Sequence, residues 1–372
     1  MTPRAALEVE AVVRRLVDGN VARVGDVRHE LLDYDAFLAG RTLTRVRGTA
    51  VVGERSVPWS FVEKCTDGPS VASAYLYDNG RREFTAYRSG LLEDLARGLR
   101  APELLAAGEG HDGRLTLWIE DLSAGGRRAF SPDEVVIAAR HLGRLAGRWI
   151  GRVPDDPWLF RGWIDRHRQP HAIEDGLAIV SAARRDAGIG TRIGGRLDEA
   201  ARLIAAQDEY ASALRTLTQT LCHHDAVAAN VFPGERDGAP ETVLIDWESV
   251  GPGPVGADLA SLLFSSPRRG DFSSHLLGGL IPRALEAYLG GLSDSGASLD
   301  ADEVRLGVHA SVSLRWTLVR DVIRVLDGTS VARRGSAPDE TTDEALDELV
   351  ALVPTLLDSA AEARSLISAP LG

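Results

Sequence analysis

Apolar and polar positions change their spacing along the chain, from a helical period to short strand-like runs and back. Residues 1–19, MTPRAALEVEAVVRRLVDG, alternate apolar and charged side chains as an amphipathic helix does. From residue 29 to residue 66, short apolar or β-branched runs are separated by glycines, which predicts an antiparallel meander of about three strands. Residues 81–99 carry apolar side chains at near-helical spacing, and we predict a helix there.

The second part of the chain has mainly helical patterning. One more strand is expected in RLTLWIEDLSAGG, and SPDEVVIAARHLGRLAGRWI then begins a helix with a serine cap and an acidic first turn. Two β-like runs, RTLTQTLCHHD and ETVLIDWES, interrupt the helical part before VGPGPVGADLASLLF. We therefore predict an α+β fold with a small antiparallel β-rich N-terminal lobe, residues 1–122, and a larger, mainly helical C-terminal lobe, residues 123–372.

Composition restricts the classes of function. The net charge of −12 argues against a nucleic-acid partner, which needs basic patches to neutralise phosphates, and is compatible with a cationic small molecule. No run approaches the roughly 20 apolar residues of a membrane span, and the N-terminus lacks the continuous apolar stretch of a secretory signal. Two cysteines, Cys65 and Cys222, are too few for a disulfide framework. We expect a cytoplasmic protein without a membrane partner.

One basic residue differs from all the others. Of the 42 basic residues, 41 are arginine and one is lysine, Lys64. Arginine-rich codon usage that left one lysine by chance is the simple explanation. The chemical alternative is that this site needs a compact, rotatable point charge, which the rigid planar guanidinium of arginine does not provide. If the segment is a strand, Lys64 shares its face with Val62 and Ser60.

Two segments in the second half contain polar side chains suited to phosphate chemistry. CHHDAVAANVF includes His223, Asp225 and Asn230, and LIDWE places Asp246 21 residues after Asp225. On neighbouring strands these side chains would bring two carboxylates and one amide oxygen together. Such oxygen donors suit Mg²⁺, and a remaining carboxylate can accept a proton from, or orient, an attacking hydroxyl. We predict Asp225 as the base, Asn230 and Asp246 as metal ligands, and His223 as a residue that holds the shape of the loop.

These motifs resemble those of the aminoglycoside phosphotransferase and choline kinase family, the small-molecule branch of the protein-kinase-like fold. The signature H-x-D-x-x-x-x-N followed by a strand with I-D is present as HHDAVAAN and LIDW. GPGPVGADLA resembles the family's glycine-rich segment that ends in D-L-A, in which Asp258 would tie the catalytic loop to the lobe core. The resemblance covers roughly residues 30–265 and implies a two-lobe kinase-like fold that uses ATP and Mg²⁺.

The same resemblance implies a nucleotide site in the N-terminal lobe. Lys64 would bind the α- and β-phosphates as a catalytic residue, would pair with Glu83, and would have Val62 beside it as part of the adenine roof. Glu120 and Leu122 would occupy the hinge, where backbone C=O and N–H groups hydrogen-bond adenine. ATP is expected in the cleft between the two lobes.

Three positions depart from the family pattern. The phosphate-covering segment FLAGRTLT offers Gly40 and little other glycine, which weakens its expected hold on the triphosphate. The interior of the catalytic loop, AVAA, contains no basic residue that would neutralise the γ-phosphate. HHD replaces the frequent H-G-D at a position that does not react.

The resemblance implies a phosphotransferase that phosphorylates a hydroxyl of a small acceptor of the aminoglycoside, sugar or amino-alcohol type. One alternative keeps the chemistry with a Ser or Thr hydroxyl of a peptide as acceptor. A second is a catalytically weak kinase-like binding protein, suggested by the glycine-poor loop. Against inactivity, the chain retains all four principal polar side chains, Lys64, Asp225, Asn230 and Asp246.

Two local patterns have other interpretations. HHD also occurs in metal-dependent HD-type phosphohydrolases, but that site needs a further upstream histidine and helical ligands. Arg320 and Arg324, four residues apart in SLRWTLVRDVIRVL, indicate either a solvated helix face or an anion-facing substrate wall.

Overall fold

A computed structural model of the chain describes residues 3–17, 21–32, 40–66, 75–76, 80–122 and 130–369. The described residues form two compact units. The first unit is drawn from residues 1–72, 78–94 and 101–128, and the second from residues 73–77, 95–100 and 129–372. An antiparallel sheet dominates the N-terminal region and helices dominate the remainder, so the predicted α+β class is confirmed.

Within the described residues, most strands precede residue 121 and most helices follow it. The strands are β1 (Val21–Leu31), β2 (Arg41–Val52), β3 (Arg55–Thr66), β4 (Leu99–Arg100), β5 (Leu104–Glu109), β6 (Leu115–Glu120), β7 (Gln219–Cys222), β8 (Val231–Arg236), β9 (Ala239–Leu244) and β10 (Gly251–Pro254). The helices are α1 (Pro3–Leu16), α2 (Gly80–Arg88), α3 (Pro132–Trp149), α4 (Trp163–Arg166), α5 (Pro170–Ala183), α6 (Ala187–Arg192), α7 (Leu197–Ala205), α8 (Gln207–Thr216), α9 (Ala257–Ala260), α10 (Ser266–Arg269), α11 (Leu277–Asp294), α12 (Ala301–Ser313), α13 (Thr317–Leu326) and α14 (Thr342–Ser368). None of these helices is both long and apolar enough to cross a membrane.

The first unit is a five-stranded antiparallel sheet in the order β1-β2-β3-β6-β5, so the predicted meander is confirmed. Its core lies on one face, where Trp59 and Phe61 of β3 pack with valines of α1. Because side chains alternate along a strand, Val62 and Lys64 lie on the opposite face. The sheet therefore separates an apolar core from a face that carries the single lysine.

The predicted helix at residues 81–99 is shorter than expected. It ends at Arg88, and Gly90 follows with φ of +80°, a conformation that glycine adopts without the steric cost of a side chain. Leu95, which continues the helical spacing, is instead buried in the second unit. Apolar periodicity alone therefore placed two separate segments in one helix.

The second unit is built on the crossing of α3 and α11. Ser131 caps α3 and forms a capping box with Glu134, as the serine and the acidic first turn predict. A Cβ at Gly143 would lie 2.1 Å from the carbonyl oxygen of Tyr288, so the two helices approach too closely for any side chain there. β7 pairs with β10, and β4, β9 and β8 form a small sheet. The sequence predicted β7 and β9 but not β8 or β10.

A buried histidine joins α3 to this small sheet and gives a prediction for stability. His141 Nδ1 lies 2.8 Å from Oγ1 of Thr242, and burial, aided by Arg144 and Arg140, lowers the pKa of His141 to about 4. The unfolded chain therefore binds this proton more readily than the folded protein does. The stability contributed by neutral His141 is complete above pH 6.5 and is lost as the pH falls through 4.

His141→Asn keeps a polar atom near Thr242 but removes the titrating group. We expect the free energy of unfolding of this variant, measured by urea denaturation between pH 7 and pH 4, to fall less steeply than that of the parent. Identical pH profiles for the two proteins would show that His141 is not the source of the dependence.

Candidate active site

The lysine of the first unit is paired as its position on β3 suggests. Lys64 Nζ lies 2.6 Å from Oε2 of Glu83, a residue in the first turn of α2, and the two side chains are only 9% and 3% exposed. In the sheet, Lys64 is flanked by Leu43 of β2 and Leu117 of β6. An ion pair in such surroundings is held in one geometry, and removing one partner would leave a buried charge uncompensated.

The other predicted nucleotide residues occupy the same unit. Val62 is buried on the face of the lysine. Glu120 is the last residue of β6, and its backbone N–H donates to a carbonyl oxygen 3.0 Å away inside the unit. Leu122 ends this described stretch, and Gly40 precedes β2 with φ of +89°. Residues 37–39 of the predicted phosphate-covering segment lie outside the described residues.

In the second unit, Asp258 fixes the start of the catalytic loop, the role that the resemblance implies. Its Oδ2 accepts a 2.8 Å hydrogen bond from the backbone N–H of His223, and its Oδ1 accepts a 2.7 Å bond from that of His224. Nε2 of His223 donates to the carbonyl oxygen of Ile245 at 2.8 Å, while Nδ1 accepts from the N–H of Asp225 at 3.2 Å. His223 thus holds the loop against the segment that leads to Asp246.

His224 explains why glycine is frequent at this position of the motif. Its φ of +64° lies in the left-handed region, which is strained for residues with a side chain. Here the imidazole stacks on Trp163, with ring centres 5.0 Å apart and planes 17° apart, and this packing offsets the strain. Burial lowers the pKa of His224 to about 3, so the ring is neutral.

Asp225 and Asn230 are joined directly. The Asn230 amide nitrogen donates to the backbone oxygen of Asp225 at 2.9 Å and to its Oδ2 at 3.0 Å. The backbone N–H of Ile245 donates to the carbonyl oxygen of Asn230 at 3.0 Å, which places Asp246 beside this pair. The second unit therefore brings together the three residues predicted as base and metal ligands.

The donor set fits a hard divalent cation. Both hydrogen bonds of the Asn230 side chain use its nitrogen, and within the described part of the chain its amide oxygen accepts none. Asp246 adds a carboxylate, held at a φ of +66°. Amide and carboxylate oxygens are the ligands that Mg²⁺ accepts alongside substrate phosphates.

Electrostatics distinguish Asp225 from an ordinary surface carboxylate. Burial raises the pKa of Asp225 to about 6, and the negative charge of Asp246 contributes to this rise. The guanidinium of Arg269 is the strongest group acting in the opposite direction. The sequence did not identify Arg269, because it lies 44 residues beyond Asp225 and outside every motif.

The HD-type alternative does not match this geometry. The histidines of HHD follow strand β7 in a loop, not a helix. Cys222, His224 and Asp258 have potential ligand atoms within 4.8 Å of one another. However, the Asp258 oxygens accept hydrogen bonds from backbone N–H groups, and Nε2 of His224 donates to the carbonyl oxygen of Pro252. These hydrogen bonds explain why the three side chains lie close together.

The two arginines of α13 are both paired with carboxylates. Arg320 forms a 2.9 Å ion pair with its neighbour Asp321 and stands over the ring of Trp316. Arg324 forms a 2.8 Å ion pair with Asp175 of α5. These contacts agree with the interpretation of Arg320 and Arg324 as part of a solvated helix face.

Comparisons with known proteins identify chains of similar fold and a matching family. An aminoglycoside phosphotransferase from Alicyclobacillus acidocaldarius subsp. acidocaldarius DSM 446 has a similar structure, with a TM-score of 0.52 and 14% identity over 99% of this chain and 96% of that chain. A microcompartment-associated aminopropanol kinase has a TM-score of 0.50 and 15% identity over 97% and 99%. At these identities the likeness shows the fold alone.

A third similar structure is an amicoumacin kinase in complex with AMP-PNP, Ca²⁺ and Ami, with 15% identity over 94% of this chain and 93% of that chain. Its TM-score of 0.49 is too low to support an inference about this chain. No curated protein matches the chain in sequence. The profile of the phosphotransferase enzyme family, however, matches residues 79–300, which is more than half of the chain. The resemblance that the motifs indicated is confirmed, and the chain belongs to the phosphotransferase enzyme family.

Proposed function

We propose that this chain is an ATP- and Mg²⁺-dependent phosphotransferase that phosphorylates a hydroxyl group of a small molecule. The observation that carries the proposal is the arrangement of Asp225, Asn230 and Asp246 at the catalytic loop. It combines a partly buried carboxylate with two hard oxygen donors, which is the set that in-line phosphoryl transfer requires. The lobe boundary at residue 122 and a cytoplasmic location belong to the same proposal.

In this proposal Lys64 binds the nucleotide phosphates. Glu83 holds the ammonium group in a single position, at 2.6 Å, and the buried surroundings strengthen the attraction of that charge for an anion. Val62 would contact adenine from the same face, and Glu120 and Leu122 would bind it through backbone groups. Gly40 would belong to the segment that covers the phosphates.

Asp225 acts on the acceptor. A bond forms between the acceptor oxygen and the γ-phosphorus, the bond from that phosphorus to the leaving oxygen of ADP breaks, and the acceptor proton passes to the Asp225 carboxylate. Asn230 fixes the orientation of this carboxylate through the bond to Oδ2 and, with Asp246, would hold Mg²⁺. When bound, the ion neutralises charge on the phosphate oxygens. His223 keeps the loop in place without contacting the acceptor.

The family and the names of two similar structures, which specify an aminoglycoside and aminopropanol, support the choice of acceptor class. Both kinds of molecule combine hydroxyl groups with amines. We propose an acceptor of the aminoglycoside, sugar or amino-alcohol type, with which the net charge of −12 is compatible. ADP release measured across panels of these compounds and of Ser/Thr peptides tests the assignment. Turnover with peptides alone would reject the small-molecule class.

Asp246→Ala gives a prediction specific to the metal. We expect calorimetric titration with ATP to show tighter binding in the presence of Mg²⁺ for the parent, and equal binding with and without Mg²⁺ for the variant. Asp237→Ala is a matched control, since Asp237 is an exposed aspartate that also has a positive φ, of +53°. A Mg²⁺ effect that survives in Asp246→Ala would remove Asp246 from the ligand set.

A further inference from the structure

The catalytic loop has no cation of its own. Between Asp225 and Asn230 its side chains are those of Ala226, Val227, Ala228 and Ala229. In phosphoryl transfer, negative charge is spread over the oxygens of the transferring group, and fixed positive charge near these oxygens supplies much of the catalysis. A cation is therefore expected to reach the loop from another element.

The segment after Asp258 brings such an element to the loop. Helix α10 lies against it, because Oγ of Ser266 accepts a 2.8 Å hydrogen bond from the N–H of Ala228. Just beyond the helix, Oδ2 of Asp271 accepts a 3.2 Å bond from the N–H of Ala229. Two consecutive loop residues are thus bound by residues that bracket Arg268 and Arg269.

A turn of π-helix, Ser261–Ser265, sets the direction of α10, and such turns are frequent at functional sites. The buried guanidinium of Arg315 holds this turn by donating to Oγ of Ser261 at 2.7 Å and to Oγ of Ser265 at 2.8 Å. Burial opposes the charge of Arg315, and the negative charges of Asp225 and Asp258 compensate part of that cost. The two hydrogen bonds of Arg315 thus fix the turn from which α10 continues.

The two arginines of α10 differ in their contacts. Arg268 forms a 2.7 Å ion pair with Asp321 and donates to Oγ1 of Thr317, so its charge is neutralised within the second unit. The side chain of Arg269 is exposed, and none of the described residues forms a hydrogen bond or ion pair with its guanidinium. Its backbone is nevertheless fixed, since its carbonyl oxygen accepts a 2.8 Å bond from the N–H of Ser336. The backbone of Arg269 is therefore held in place, while its guanidinium has no hydrogen-bond or ion-pair partner among the described residues.

We propose that Arg269 is the cation that the catalytic loop lacks, and that its guanidinium binds oxygen atoms of the transferring phosphoryl group. The proposal rests on the proposed function. The planar fork of arginine matches phosphoryl oxygens and keeps its proton throughout. As the acceptor oxygen bonds to phosphorus and the bond to ADP breaks, Arg269 neutralises the charge on the remaining oxygens, while the acceptor proton goes to Asp225.

The test uses the full chain with Mg·ATP and water as the acceptor, so that no acceptor needs to be known. ADP formation is measured for the parent, Arg269→Ala, Arg269→Lys and Asp225→Asn. Arg192→Gln is the matched control, since Arg192 is a surface arginine on α6 that is paired with Asp347. Equal melting temperatures for Arg269→Ala and Arg192→Gln establish that both variants are folded.

We expect Arg269→Ala to lower kcat for ADP formation by about 10²–10³-fold with little change in the Kd of Mg·ATP, and added guanidinium to restore part of the loss. The kcat of Arg269→Lys should lie between those of the parent and Arg269→Ala, and the kcat of Arg192→Gln should equal that of the parent. ATP hydrolysis by Arg269→Ala at the parental rate would overturn the proposal. A variant that keeps the parental rate of hydrolysis and shows only a higher KM for an added acceptor would overturn it as well. ADP formation that is equally fast in the parent and in Asp225→Asn would reject the proposed role of Asp225 and, with it, the proposed function itself.

Discussion

Asp225→Asn is expected to lower kcat for phosphoryl transfer by about 10²–10⁴-fold, the range that a positioned general base contributes. Asparagine has nearly the same shape, and its side-chain oxygen can still accept from Nδ2 of Asn230, so the loop should keep its conformation. It has no negative charge with which to take the acceptor proton. Steady-state kinetics with saturating ATP measure the effect.

The Kd of Mg·ATP should change little in Asp225→Asn, because Asp225 is not among the residues that would bind nucleotide or metal. Asp237→Asn serves as a control, since it makes the same chemical change at an exposed turn between β8 and β9. Turnover by Asp225→Asn equal to that of the parent would exclude Asp225 as the base.

Lys64→Arg is expected to lower kcat by about 10²-fold although the charge is retained. The lysine side chain is only 9% exposed, lies between neighbouring strands, and has its ammonium 2.6 Å from Oε2 of Glu83. A guanidinium is larger and planar, so it cannot occupy the same point without moving Glu83 or the sheet. The charge would then no longer lie where the phosphates require it.

The control for Lys64→Arg is the reverse exchange at an exposed position of the neighbouring strand. Arg47 on β2 has a side chain that is 53% exposed, and Arg47→Lys should leave kcat unchanged. Parental activity in Lys64→Arg would mean that the site does not require a lysine, and that chance and codon usage explain why one remains.

The sequence predicted the parts of the site that are set by local chemistry. The resemblance implies the pairing of Lys64 with Glu83, and motif spacing predicts the grouping of His223, Asp225, Asn230 and Asp246. The structure places these residues in two groups, one in each unit, with the contacts described above. Their roles in binding and catalysis stay predictions until the variants are measured.

What the sequence missed depends on contacts between distant segments. Arg269 carries no motif, and only the hydrogen bonds of Ser266 and Asp271 show that α10 lies against the loop. The left-handed conformation of His224 was hidden as well, because histidine is an unusual residue there and its stacking partner, Trp163, is 61 residues away. β10 is short and rich in glycine and proline, a composition that normally indicates a turn.

The central claim is Mg²⁺-dependent transfer of a phosphoryl group from ATP to a hydroxyl, with Asp225 as base. The most direct measurement couples ADP release to mass spectrometry of the acceptor, for the parent and Asp225→Asn, with and without Mg²⁺. We predict one phosphorylated product per ADP in the parent with Mg²⁺, and almost none when either Mg²⁺ or the Asp225 carboxylate is removed. ATP binding without product across aminoglycosides, sugars and amino alcohols, or equal product from both proteins, would contradict the account.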